Sequence, residues 1–103
     1  MIIALAADTD RLQSVIDRHF GRCGWFCLYD TDTHGCSFLK NNVRFDDEKA
    51  GCGAANLLIE KGVRVVVAGR FGIKAMKVLK DNSVQMIIPE KEQEISEFIA
   101  SFR

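Results

Sequence analysis

Ile2 to Ala7 form an unbroken apolar run, after which the chain turns polar over residues 8–24. So short a run, closed by Asp8, suits a buried first strand and cannot span a membrane. Aromatic Trp25 to Tyr29 predicts a second strand, Asp30 to Gly35 a turn, and Cys36 to Asn41 a returning third strand. Ala54, Ala55, Leu58 and Ile59 then share one helical face, and Gly62 sits where a left-handed C-terminal cap belongs. The β-branched run Val63 to Ala68 predicts a strand buried on both faces.

Gly69 to Gly72 turns the chain into a second helix with Ala75, Met76 and Leu79 inward, and Asn82 is expected to cap it in the left-handed conformation. Gln85 to Ile88 reads as a last strand. Pro89 is expected to open a third helix with Ile95, Phe98, Ile99 and Phe102 on one face. Two hairpin-like returns followed by two helical crossovers predict an α/β fold. Its mixed five-stranded sheet has strand two antiparallel and helices on both faces. No composition shift divides the chain, so residues 1–103 are expected to form a single domain.

That topology gathers chemistry at one edge. The loops after strands one, three and four bring His19, Arg22, Cys23, Cys52, Arg70 and Gly72 to the carboxyl edge of the parallel strands, where open α/β sheets bind ligands. Cys27 lies mid-strand, and His34 and Cys36 belong near the opposite edge. The four cysteines are therefore not expected to form one site.

Composition narrows the readings. Lys+Arg and Asp+Glu number 14 each, for a formal net charge of zero. That balance argues against a general nucleic-acid binder. No basic region precedes the first apolar run, so no secretory signal is expected and a cytoplasmic location follows. In a reducing compartment the cysteines are expected as core thiols, ligands or redox groups.

Ser14 to Arg22, which contains His-Phe-Gly-Arg, resembles the signature of the dinitrogenase iron-molybdenum cofactor biosynthesis domain family. Gly51 to Val63 resembles its second block and Val65 to Leu79 its third, in the same order and spacing. The resemblance spans Ile2 to Ile88 and implies a small ribonuclease-H-like domain. It also implies a binding or carrier role for a metal-sulfur cluster, either iron-sulfur or molybdenum/iron-sulfur, with cluster donor or acceptor proteins as partners. It carries His19, Gly21, Arg22 and the later loop glycines. Cys23 stands where the family commonly has a small residue, and Cys52 where its loop varies.

The residues add their own candidates. Cys52, at the start of a helix, gains thiolate character from the helix dipole, and Gly51 and Gly53 would let backbone N–H groups approach an anion. A tight turn with a space-filling thiol explains the same three residues. Cys23 lies four residues beyond His19, so His19, Cys23 and Cys52 are the expected metal ligands; His19 could equally order its loop. Three donors suit a carried cluster with open positions better than a closed zinc site. Arg22, Gly51, Gly53, Arg70 and Gly72 would support the anionic cargo.

Cys27 is expected in the core. It shares a face with Cys36 only if the turn sets Asp30 opposite Gly35. Asp8 ends strand one as the first acid of a ribonuclease-H-like nuclease would. Strand four carries no second carboxylate, so nuclease chemistry is not expected. The leading expectation is a binding or carrier module without turnover. Thiol redox chemistry through Cys23 and Cys52, or a metal-free interaction domain using the same edge, are the alternatives.

Overall fold

The computed structural model describes residues 1–42 and 50–102. Its strands are β1 (Ile2–Ala7), β2 (Trp25–Asp30), β3 (Cys36–Lys40), β4 (Val63–Val67) and β5 (Gln85–Ile87). Its helices are α1 (Ala50–Glu60), α2 (Ile73–Asp81) and α3 (Ile95–Ala100). The five strands form one sheet in the order β3-β2-β1-β4-β5. β2 runs antiparallel to β1 and β3, whereas β1, β4 and β5 are parallel. This is the mixed α/β sheet that the two returns and two crossovers predict.

β1 sits at the centre, and Ile3 to Ala7 are fully buried. Alternation along the strand assigns its side chains to two cores. Ala4 and Ala6 pack with Ala54, Ala55 and Leu58 of α1 and with Ala75 and Leu79 of α2. Facing alanines leave room for helices to lie close to the sheet. Ile3, Leu5 and Ala7 point the other way, onto Ile16, Tyr29, Ile95, Phe98 and Ile99. Helices thus cover both faces, α1 and α2 on one and α3 on the other. Each buried Leu, Ile or Phe contributes roughly 1.5–3 kcal/mol.

Gly62 takes the left-handed conformation at the end of α1, with φ 79°. Other local expectations are corrected. Asn82 is the C-cap of α2 as expected, but with φ −106°, and the left-handed residue is Ser83, with φ 59°. Met76 is exposed rather than inward. Pro89 does not open a helix, because α3 begins only at Ile95. The backbone N–H groups of Ile95 and Ser96 donate to the carbonyls of Ser14 and Leu12, while Ile16 donates to Gln93. Pairing with the 12–16 segment thus anchors the chain where α3 starts. A reciprocal capping box between Glu94 and Glu97 then starts the helix. Phe102 lies beyond its end and is partly exposed, against Phe98.

Candidate functional site

The polar stretch after β1 is an anchored loop. Ile16 and Phe20 are buried within it, and Ile16 bridges back to Ala7. Asp17 N–H donates to the Ala6 carbonyl at 2.8 Å, and the Asp17 carbonyl accepts from Gly69 N–H at 2.9 Å. Phe20 N–H donates to the Arg70 carbonyl, joining the loops that follow β1 and β4. The Phe20 ring packs between Phe26 and Phe71, with centroids 5.5 and 5.3 Å away. Gly69 is required here: a Cβ would lie 2.7 Å from Arg18 Cα, in contact with backbone that cannot swing aside.

The next turn is pinned from below. Asn41, only 1% exposed, donates through Nδ2 to the carbonyls of Gly21 at 3.0 Å and Cys23 at 2.9 Å. Its own N–H donates to the Gly24 carbonyl. The Cys23 thiol is fully buried and donates to the Phe20 carbonyl at 3.3 Å. The sulfur of Cys23, expected as a ligand, thus lies in the core beneath the loop.

The other candidates reach the carboxyl edge. His19 is 58% exposed, and its Nδ1 lies 3.8 Å from Asp17 Oδ1, which also accepts from His19 N–H at 2.9 Å. Arg22 and Arg70 are exposed. Cys52 is half-buried in the first turn of α1. Gly51 and Gly53 belong to that same turn, so the anion-cradling loop expected of them is helix instead. Gly72 is the N-cap of α2, and its carbonyl accepts from Met76 N–H. Among the described residues no three His, Cys, Asp or Glu side chains are placed to hold one metal ion, so His19, Cys23 and Cys52 do not form a ligand set as arranged.

A recess of about 270 Å³ opens on the same edge, lined by Ile16, Arg18, Gly69, Arg70 and residues 89–92. Arg18, Arg70 and Lys91 supply positive charge there, and Glu90 and Glu92 oppose it, with Arg18 to Glu92 at 4.0 Å. Sequence reading missed Asp17 and Asn41, and it read Gly69 only as part of a turn. Asp17 and Gly69 order the site through backbone pairing and Asn41 through its side-chain amide.

At the other end of the sheet, Asp30 N–H donates to the Gly35 carbonyl, and Tyr29 pairs with Cys36. This is the register that sets Cys27 and Cys36 on one face. The Cys27 thiol is fully buried, and its pKa is pushed up to about 12 by that burial first and then by neighbouring Cys36.

A sequence model of the family described as dinitrogenase iron-molybdenum cofactor matches residues 1–103. The chain belongs to this family. No curated protein matches it in sequence. Among solved structures, the apo form of the orange protein from Desulfovibrio gigas superposes with a TM-score of 0.90 at 24% identity, covering 98% of this chain and 85% of that one. A NifB-like protein of the DUF35 family from Thermotoga gives 0.84 at 25% identity, with the same coverage. The orange-protein likeness is one of fold. For this member of the dinitrogenase iron-molybdenum cofactor family, the described residues include no helix long and apolar enough to cross a membrane.

Proposed function

We propose that the carboxyl edge of the sheet binds or carries an anionic metal-sulfur cluster, or a precursor of one, as cargo passed between cluster donor and acceptor proteins. The observation that carries this reading is an internally anchored edge with exposed basic side chains. Asp17, Gly69, Asn41 and Cys23 fix the loop from within, which leaves His19, Arg22 and Arg70 exposed. Membership of the dinitrogenase iron-molybdenum cofactor family supports the class of cargo.

In this reading His19 and half-buried Cys52 are donors with room for outside ligands, and Arg22 and Arg70 balance negative charge. Gly72 and the first turn of α1, with Gly51 and Gly53, supply backbone at the same edge. Cys23 acts beneath the loop. Its burial also speaks against a Cys23–Cys52 redox pair.

The test is anaerobic reconstitution with iron and sulfide, read as bound metal and visible absorbance. Cys52→Ser should lose the cluster, because a hydroxyl is a poor soft-metal donor. Arg22→Gln together with Arg70→Gln should weaken its retention. Unchanged loading in both the Cys52 and His19→Ala variants would overturn the ligand assignment.

A further inference from the structure

The hairpin end of the sheet holds a second set of soft donors that the carboxyl edge does not use. Cys27 and Cys36 are diagonal neighbours on β2 and β3, because Cys27 pairs with Phe38 and Tyr29 with Cys36. Both lie on the face that Tyr29 shares, so their side chains are neighbours on one side of the β2–β3 pair. Cys27 is sealed in the core beside Tyr29 and Ile99, whereas Cys36 is exposed. Cys36 also lines a recess of about 160 Å³ with Leu12, Ser96, Ile99 and Ala100. A path from solvent therefore reaches one thiol, and the other waits behind it.

We propose that Cys27 and Cys36 form a two-thiolate site for one thiophilic cation of linear coordination, of the Cu(I) class, entered from the recess beside α3. Diagonal cross-strand neighbours stand about 7–8 Å apart at Cα, wider than the roughly 4.4–6.8 Å that a disulfide spans. A bridging metal ion holds two sulfurs farther apart than the roughly 2.05 Å of an S–S bond and suits this spacing. Zinc would need four ligands, and among the described residues no third His, Cys, Asp or Glu joins such a group. His34, the nearest imidazole in sequence, is engaged through Nδ1 with Tyr29 Oη at 2.8 Å. Thiolates select Cu(I) among the soft ions. On binding, each thiol loses its proton to solvent and two sulfur–metal bonds form; no electron is transferred.

The experiment titrates reduced protein with Cu(I) without oxygen, against a chromogenic chelator that outcompetes single thiols. One ion per chain should be held, with two protons released and alkylation of Cys36 suppressed. Cys36→Ser alters only an exposed edge-strand residue, so its fold is safe. It should bind at least roughly 100-fold more weakly, the gain otherwise made by closing the second bond within one molecule. Cys27→Ser should lose as much. Wild-type affinity in either variant overturns the site. So does loss in Cys52→Ser with retention in Cys36→Ser, or half an ion per chain in dimers joined through Cys36.

Discussion

Asn41 does at residue scale what a turn sequence alone could not. It satisfies two carbonyls of the Gly21–Cys23 turn from inside the protein. Asn41→Ala leaves both acceptors without that donor and should cost roughly 1–3 kcal/mol, read by urea denaturation. Faster amide exchange should accompany it at Arg22 to Gly24. Gly69→Ala forces a methyl against the Arg18 backbone and should cost about 1–3 kcal/mol as overpacking does, measured the same way. Cys27 makes a prediction about pH. Its folded pKa of about 12 exceeds the ordinary 9.0, so between these values the unfolded chain gives up a proton that the folded chain keeps. Stability from this group is full below pH 9 and falls as pH rises toward 12, by up to about 1.4 kcal/mol per unit. Cys27→Ala should flatten the denaturation midpoint against pH across that window, relative to wild type.

At the scale of elements, α3 is the piece whose existence depends most on its neighbours. With six residues it is too short to persist alone. Its start is fixed by the Glu94–Glu97 capping box and by backbone pairing to the 12–16 segment. Glu97→Ala removes the side chain that accepts from Glu94 N–H at 3.0 Å. It should cost about 0.5–2 kcal/mol, with faster amide exchange at Glu94 as the specific sign. Because 93–96 is tied to 12–16, fraying there should also loosen Ile16. Faster exchange at Glu94 with none at Ile16 would show that the cap acts only locally.

For the whole molecule, chain direction separates two ends with different chemistry. Helices α1 and α2 begin at the carboxyl edge of β1 and β4, beside His19 and Arg70, whereas the β2–β3 turn lies at the opposite end. Thiol reactivity should follow this division. Cys52 starts a helix and is half-buried, so it should alkylate ahead of Cys23 and Cys27, which are fully enclosed. Competitive labelling of the native protein with mass-spectrometric readout ranks them. Labelling of Cys23 at the rate of Cys52 would mean that the anchored loop opens readily.

The sequence by itself determined the elements and their direction. Apolar runs such as Ile2 to Ala7, and Val65 to Ala68 after the single exposed Arg64, can be strands only if buried on both sides, and short returns against long helical crossovers then dictate a mixed sheet. The His-Phe-Gly-Arg stretch and the later glycine loops were legible as one edge, because topology alone brings loop ends together. Tertiary structure decided which side of the backbone each group uses. Cys23 looks like a ligand at a spacing of four from His19, but the turn clamped by Asn41 directs its sulfur to the core. Gly51 and Gly53 look like a loop, yet packing of Ala54, Ala55 and Leu58 on the sheet makes helix there worth the glycine entropy. Pro89 looks like a helix start, but α3 begins at Ile95, where Gln93 to Ser96 pair with the 12–16 segment. The Cys27–Cys36 face turned on one residue of register, which the Asp30–Gly35 hydrogen bond fixes and no residue pattern within either strand could.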